Sequence, residues 1–410
     1  MGMQVDGGDE MKRLGFLLLC LMVFSVPFEC SLIWEQGATA SRIFGYVAVV
    51  GGLVAIGWRG SIRPPTSLHF LLLAIVFYSA LSLLWSVDEA ATLQSLEARL
   101  RLFGMVLLIW ELALETSSVE WLMRSYVAGG CVGIAGTIQN FISGQVAYEG
   151  RYMSDGFDPN DLALTLVVSI PLAWYLSTRT RSIWRAALYY VYIVAVLFAV
   201  ALTASRGGAL AAGISLAVIP FSWKRQNRSR KFLITALLIF VVTAGIGYVP
   251  ESSWERLGSI GEEIQGGTMN SRTAIWMAGE KEFREHPFFG VGGGAFSSAV
   301  AAEIPDGSVA HNSFLSLMVE YGVTGTLLAL IVLVELVRLI YRMQRTEKVV
   351  WAVCFTALAA GMFGLSWLEC KPPWLALGIA LAHVFATSPR SISNRVYVPI
   401  TAQMYLAENI

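Results

Sequence analysis

Long apolar runs separated by short polar stretches dominate the chain from Leu14 almost to its C-terminus. About 20 consecutive apolar residues are enough for a helix to cross the hydrocarbon core of a bilayer. Twelve such segments are predicted, with approximate bounds 14–33, 43–58, 68–85, 102–115, 119–142, 161–177, 183–203, 207–223, 232–249, 312–337, 349–367 and 373–387. Because a segment in lipid must satisfy its own backbone hydrogen bonds, these runs predict helices. Residues 1–410 are therefore expected to form one integral membrane domain, an all-α, polytopic transmembrane bundle of about 12 spans.

Composition supports a membrane protein and argues against a nucleic-acid-binding protein. Hydrophobic residues make up 56% of the chain and charged residues 14%, whereas soluble domains carry about 25% charged residues. The formal net charge is zero, which removes the electrostatic basis for a nucleic-acid partner. The first apolar run has no clean cleavage site after it, so it is interpreted as an uncleaved span.

Positive charges in the short connections predict the orientation, because Lys and Arg concentrate on the cytoplasmic side. When Lys12 and Arg13 are placed inside, alternate connections carry further basic residues: Arg59 and Arg63; Arg179, Arg181 and Arg185; residues 224–231; Arg338, Arg342, Arg345 and Lys348; and Arg390. The exception is the connection between the fourth and fifth spans, where Arg124 lies just inside the span. Both termini are then predicted inside. The one long connection, residues 250–311 between the ninth and tenth spans, is predicted outside.

Two outer-face motifs carry arginines. In "ALTASRGGALAAG", Arg206 precedes Gly207 and Gly208, which allow a tight turn and a close backbone approach. Such an arginine either snorkels from an ordinary turn or is held against an anionic lipid head group. In "NSRTAIWMAGEKEFREHPFFGVGGGAF", Arg272 lies near the start of a predicted helix. A helix N-terminus with an arginine suits a phosphate, and the alternative is a solvated surface arginine.

The helix that begins near Arg272 has further predicted features. Asn270 or Ser271 is a suitable cap, and Pro287 prevents continuation beyond about His286. One face of this amphipathic helix collects four residues at helical spacing, Ile275, Trp276, Gly279 and Phe283. The glycine-rich stretch after Pro287 is expected to be a flexible turn.

Asp158 followed by Pro159 predicts a helix N-terminus with its cap and a proline at the first helical position. The nearby aspartates do not have the spacing of an EF-hand loop, so no metal site is expected. Arg151, just before this motif, is an outer-face cation whose role the spacing leaves open.

The segment "VAHNSFLSLMVEYG" places His311 and Asn312 at the start of an apolar run. A histidine has a pKa near neutrality and can accept a proton from a hydroxyl group; the alternative is a residue that donates one hydrogen bond where the helix begins. Glu320 lies about 13 Å deeper along a helix, where a carboxylate is expected to be functional or paired. Lys371, in "WLECKPPW", is a further cation before the last predicted span.

These motifs, in this order, resemble the O-antigen ligase and polymerase family of bacterial envelope glycosyltransferases. The stretches that carry the resemblance are "SRGG", the Arg272 to Phe296 pattern, "HNSFLSLMVEYGVTG", "GFDPNDLALTLVVSIPLA" and "SLLWSVDEAATLQS", and together they cover about residues 80 to 385. The resemblance implies a GT-C-like enzyme of the cell inner membrane that acts in lipopolysaccharide biosynthesis. Such an enzyme transfers a glycan en bloc from undecaprenyl diphosphate to an acceptor hydroxyl on the periplasmic side, with inversion and without a metal or other cofactor.

The resemblance also implies roles for individual residues. Arg206 and Arg272 would engage the diphosphate and His311 would activate the acceptor, with Arg151 and Lys371 as looser diphosphate contacts. Supporting roles are expected for Asn312, Trp276 and Glu320. Fixed arginines stabilise the charge that develops on a leaving diphosphate, so the chemistry agrees with the implied roles.

Three functions follow from these observations. The favoured one is an O-antigen ligase with the lipid A core as its acceptor. The alternative is a polymerase of the same family, which extends a lipid-linked O-antigen or exopolysaccharide on a growing glycan. A transporter or flippase is disfavoured because no internal repeat is visible and the polar residues gather at one face.

Overall fold

The computed structural model describes residues 7–33, 38–146, 150–258, 272–304, 308–387 and 398–399. These ranges are predominantly helical, which confirms the predicted all-α class. The helices are α1 Gly7–Ser25, α2 Ala40–Arg59, α3 Ser67–Leu81, α4 Glu89–Leu112, α5 Thr116–Ile142, α6 Pro159–Val167, α7 Ser169–Arg179, α8 Ile183–Leu202, α9 Arg206–Leu216, α10 Val218–Ser222, α11 Arg228–Tyr248, α12 Glu251–Gly258, α13 Arg272–Glu285, α14 Phe296–Ala299, α15 Ser313–Tyr341, α16 Arg345–Met362 and α17 Lys371–Thr387. Two short strands, β1 Ser61–Ile62 and β2 Val398–Pro399, pair antiparallel.

Several helices have the length and apolar composition of membrane spans. Within the described ranges six segments qualify, Glu10–Ser31, Ala40–Arg59, Ser67–Leu84, Pro159–Arg179, Ile183–Leu202 and Ser313–Tyr341. Each of the twelve predicted spans coincides with helical residues. The polytopic helical fold is therefore confirmed, and the actual crossing of the membrane by each of the twelve segments stays a prediction, because six qualify by length and composition alone.

One expected outer connection is helical instead. Residues 86–101, which separate the third and fourth predicted spans, lie mostly within α4, because Asp88 caps this helix by accepting a hydrogen bond from the Ala91 amide at 2.9 Å. Arg101 pairs with Glu97 one turn away on the exposed side, whereas Arg99 is buried. Hydropathy alone missed this part of the helix because its charged residues resemble a solvated loop.

The core is built around the pair α6 and α7. The segment Pro159–Arg179 is the most enclosed of the six candidate spans, since 89% of its apolar stretch is buried, against 44% or less in the others. Helices α5, α8, α9 and α16 pack around it. A helix pair enclosed along its length is accessible mainly at its ends, and the end that begins at Pro159 carries the site described below.

Helix α15 is interrupted at Gly322, whose φ of 61° and ψ of −164° are not helical. The segment 287–294, which follows α13, fills the gap. Four backbone hydrogen bonds join them, from Val323 to Pro287 (2.8 Å), Thr324 to Phe288 (3.2 Å), Val291 to Val319 (2.9 Å) and Gly292 to Glu320 (3.0 Å). Groups released by the break are thereby paired within the protein, which an apolar environment requires.

The glycines of segment 287–294 are required by this close approach. A Cβ atom on Gly290 would lie 2.4 Å from the Glu320 carbonyl carbon, and one on Gly293 would lie 1.9 Å from the Tyr321 hydroxyl. Gly290 also has a φ of 72°, in the left-handed region that favours glycine. The segment is therefore a packed element, and the expectation of a flexible turn is wrong.

The predicted amphipathic helix is present as α13. Ile275, Ala278 and Gly279 are buried, and the helix packs on α15. It ends at Glu285, directly before His286 and Pro287, as predicted. Its predicted cap, Asn270 or Ser271, lies outside the described residues.

Replacement of Gly322 by alanine is expected to destabilise the protein. Its backbone conformation is essentially restricted to glycine and costs other residues about 1–3 kcal/mol, and the added Cβ would lie 2.5 Å from the Phe288 carbonyl carbon. We expect a lower melting temperature of the detergent-purified chain. The matched control is Gly213→Ala in α9, where an added Cβ meets open space. Equal melting temperatures for the two variants would contradict this account of the break.

Candidate functional site

Two helices, α6 and α9, begin side by side at one end of the bundle. Asp158 caps α6, with Oδ1 accepting from the Asn160 amide at 2.7 Å, and Pro159 is at the first helical position, as predicted. Ser205 caps α9, with Oγ accepting from the Gly208 amide at 3.1 Å. Each helix N-terminus carries a partial positive charge. At α9 the cap is neutral, so this N-terminus favours an anionic ligand, whereas the Asp158 carboxylate offsets the partial charge at α6.

Asn160 connects the two helix starts. Its Oδ1 accepts hydrogen bonds from Arg151 Nη2 at 2.9 Å and from Ser205 Oγ at 2.8 Å. Arg151 is buried, and its Nε donates to the Thr203 carbonyl at 2.7 Å. Because Oδ1 accepts both bonds, the amide NH₂ of Asn160 is oriented as a donor. Arg151 thus contributes positive charge and holds Asn160 in place.

A small cavity of about 40 Å³ lies at this end, between α6, α9 and α13. Its lining includes Asn160, Ser205, Gly207, Gly208, Arg272 and Gly364. The Arg272 guanidinium lies close to Gly364, since a Cβ there would be 3.5 Å from Nη1. Arg206 is the half-buried first residue of α9, between two residues that line the cavity. The structure therefore places Arg272 at the cavity and Arg206 between two residues that line it.

His311 has an unusual backbone conformation, with a φ of 45°. In the part of the chain that the structure describes, the other non-glycine residue with a positive φ is Ala204, at 48°. The left-handed region costs such residues about 1–2 kcal/mol, and strain of this kind concentrates at functional sites. Each of the two residues precedes a helix cap, Ser205 for α9 and Asn312 for α15. One strained position, Ala204, thus adjoins a residue that lines the cavity, and the other is His311 itself.

The surroundings of His311 favour its neutral form. Burial lowers the pKa of the imidazole, the positive charge of Arg272 lowers it further, and the carboxylate of Asp158 opposes the shift. His311 is therefore within electrostatic reach of both α6 and α13. A histidine with a lowered pKa keeps a lone pair at neutral pH, which a general base requires.

The residues on either side of His311 are fixed by hydrogen bonds. Trp276 Nε1 on α13 donates to the Ala310 carbonyl at 2.9 Å. Ser313 Oγ donates to the Leu365 carbonyl at 2.6 Å and accepts from the Trp367 amide at 2.8 Å. Asn312 caps α15 by accepting hydrogen bonds from two backbone amides, so two of the three predicted supporting residues, Trp276 and Asn312, hold the backbone around His311.

Two predicted site residues lie elsewhere. The Lys371 ammonium forms an ion pair with Glu29, which also accepts a hydrogen bond from Ser41. Glu320 does not line the small cavity; it contributes to a larger one together with Glu369. The carboxylate of Glu320 accepts from the Gly294 amide at 2.8 Å.

Sequence patterns had indicated neither Asn160 nor Ser205 as site residues. Ser205 was detectable, because a serine just before an apolar helix is a preferred cap. Asn160 follows the Asp-Pro motif, but its contact with Arg151 and Ser205 depends on how α6 and α9 pack. Arg99 and Glu369 were likewise missed, because each lies in a connection between two predicted spans.

The helices and the polar cluster at their end define a polytopic helical membrane protein. A family model described as O-antigen ligase matches residues 191–330. That range contains Arg206, Arg272 and His311. The match supports assignment of the chain to the O-antigen ligase and polymerase family, and so confirms the resemblance seen in the sequence. The curated proteins compared with the chain include no match.

The packing of α9 on α6 predicts different effects at two adjacent glycines. A Cβ on Gly208 would lie 2.5 Å from Ala163 Cβ and 3.1 Å from Ser205 Oγ. Because overpacking typically costs 1–3 kcal/mol, Gly208→Ala should lower the melting temperature. Gly207→Ala is the control, since its Cβ would meet open space. If Gly207→Ala were the more damaging change, the helix pair would have to be arranged differently.

Proposed function

We propose that the chain is a glycosyltransferase of the O-antigen ligase type, which transfers a glycan en bloc from undecaprenyl diphosphate to a hydroxyl of the lipid A core. One observation carries the proposal: two capped helix N-termini and Arg272 surround one cavity, within electrostatic reach of a histidine that favours its neutral form. The family match over residues 191–330 supports it.

The donor end of the reaction needs positive charge. When the glycosidic bond breaks, the diphosphate leaving group gains negative charge, and donors oriented beforehand stabilise that charge best. In this proposal Arg206 and Arg272 contact the phosphoryl oxygens, and the N-terminus of α9 adds its partial charge. Arg151 acts mainly through Asn160. Lys371, paired with Glu29, is a weaker candidate for contact with the diphosphate.

The acceptor end needs a base. His311 removes the proton from the acceptor hydroxyl while its oxygen attacks the anomeric carbon. The bond between that carbon and the diphosphate oxygen breaks on the opposite face, so the configuration inverts. The lowered pKa of His311 supports this role, because the neutral imidazole is the form that accepts a proton. No step in this scheme is assigned to a metal.

The proposed setting follows from the distribution of charge. The basic clusters on alternate connections favour cytoplasmic termini and a site that faces the periplasm from the bacterial inner membrane. Residues 250–311 then form the periplasmic segment of a single integral membrane domain, within a GT-C-like fold.

A reconstituted transfer assay tests the proposal. The purified chain in vesicles receives an undecaprenyl diphosphate-linked glycan and lipid A core, and products are separated on a gel. His311→Ala should lower the transfer rate by about 10²–10⁴-fold, the usual contribution of a general base. Alanine keeps a Cβ, so the strain at the positive φ is retained. The control is His286→Ala, an exposed histidine after α13, which should retain its rate.

The arginine variant and the product pattern complete this test. Arg206→Lys keeps the charge but loses the planar fork that binds phosphate in a bidentate manner, so its rate should also fall. Transfer of long chains to lipid A core identifies the ligase. Elongation of the lipid-linked glycan without such transfer identifies the polymerase. If the wild-type chain forms neither product, the proposal is overturned.

The pH dependence should report the charges around His311. A base works only when deprotonated, so kcat/KM should rise with pH through a pKa below the ordinary value of about 6.5 and then level off. Arg272→Gln removes a charge that lowers this pKa, so the acidic limb should move to higher pH. Asp158→Asn removes the opposing charge and keeps a capping side chain, so the limb should move to lower pH. An acidic limb that stays in place in both variants would show that His311 is not the group observed.

A further inference from the structure

The larger cavity, of about 200 Å³, lies directly beside the residue that precedes His311. Its polar lining consists of Ser297, Ser316, Glu320, Ser366 and Glu369, and Phe296, Ala310 and Leu368 add apolar surface. A water molecule occupies about 30 Å³ in the liquid, so this space has room for several waters or for one sugar ring.

The two cavities lie next to each other, because consecutive residues on two segments of the backbone face one cavity and then the other. Leu365 lines the small cavity and Ser366 the larger one. Ala310 lines the larger cavity, and the next residue, His311, is within electrostatic reach of Arg272 in the small one. The backbone at His311 thus lies between an arginine-containing cavity and a carboxylate-containing cavity.

The carboxylates of the larger cavity are held by a buried arginine. Arg99 Nη2 lies 3.2 Å from Glu369 Oε1 and 3.9 Å from Glu320 Oε2, and its guanidinium lies 4.4 Å from the centre of the Tyr321 ring. Ser95 donates to the same oxygen of Glu369. One buried guanidinium thus holds the carboxyl groups of Glu320 and Glu369 at the wall of the cavity.

The lining still has capacity for hydrogen bonds to a ligand. A carboxylate has about four acceptor positions, and the described contacts of Glu369 use one of its two oxygens. Ser366 Oγ is buried and has no hydrogen-bond partner within the described structure. Buried polar atoms normally have a partner, and rotation of this side chain, which belongs to the lining, would bring the hydroxyl to a ligand in the cavity.

We propose that this cavity binds the saccharide of the acceptor and presents its hydroxyl to His311. The proposal rests on the transferase function proposed above. Sugar hydroxyls donate to the carboxylates of Glu320 and Glu369 and exchange hydrogen bonds with Ser366, while Phe296 and Leu368 contact the apolar face of the ring. A free divalent cation suits the cavity less, because Arg99 already places a positive charge between the carboxylates.

The test separates acceptor binding from donor binding in the same vesicle assay, with lipid A core and the undecaprenyl diphosphate-linked glycan as probes. Glu369→Gln keeps the shape of the side chain and removes its charge. Because hydrogen bonds to a charged group are among the strong ones, we expect KM for the acceptor to rise about tenfold or more. KM for the donor and the acidic limb of the pH profile should not change.

A second variant and a control keep the result interpretable. Ser366→Ala removes the hydroxyl without disturbing Arg99, and it should raise the acceptor KM by a smaller factor even if Glu369→Gln folds poorly. Glu303→Gln alters an exposed carboxylate that pairs with Lys281, and both KM values should stay at the wild-type level.

The outcomes distinguish the two proposals. If the wild-type chain transfers glycan but Glu369→Gln and Ser366→Ala leave the acceptor KM unchanged, or raise both KM values together, the acceptor cavity is wrong and the transferase function stands. If the wild-type chain transfers nothing, the transferase function fails and the acceptor cavity fails with it.

Discussion

When a helix is interrupted in an apolar environment, the backbone groups released at the break need new hydrogen-bond partners. The positions of the candidate site residues depend on how α15 meets this requirement. At Gly322 the helix exchanges backbone hydrogen bonds with the segment 287–294. The exchange fixes that segment against the bundle and brings the Gly294 amide to the Glu320 carboxylate. It also fixes the connection between α13, which carries Arg272, and the helix that begins just after His311. A backbone constraint thereby sets the positions of groups that act through their side chains.

The arrangement of charge around His311 is asymmetric. On one side lie Arg272, the start of α9 and the N-terminus of α6, where the neutral amide of Asn160 connects Arg151 to Ser205. On the other side, the carboxylates of Glu320 and Glu369 share the buried Arg99. Under the proposed function, the arginines attract the anionic donor to one side, and the carboxyl groups offer hydrogen bonds to the hydroxyls of the acceptor on the other.

Local patterns in the sequence were sufficient for part of this structure. The cap at Asp158, the end of α13 before Pro287 and the buried face of that helix all depend on neighbours within about one turn, and each was predicted correctly. Residues 86–101 were misassigned because hydropathy measures composition, whereas the burial of Arg99 depends on contacts with Glu320 and Glu369, more than two hundred residues later. The interruption at Gly322 was missed for the same reason, since its new partners lie on another segment.

The contact between α6 and α9 restricts which substitutions can accumulate at two facing positions during evolution. Ala163 and Gly208 face each other so closely that a Cβ on Gly208 would lie 2.5 Å from that of Ala163. There is room for one methyl group between the two helices at this level, and the chain has placed it on α6. A descendant that acquires a side chain on α9 here keeps the same helix spacing only if it gives up the methyl on α6. The two positions are thus expected to change together, although forty-four residues separate them along the chain.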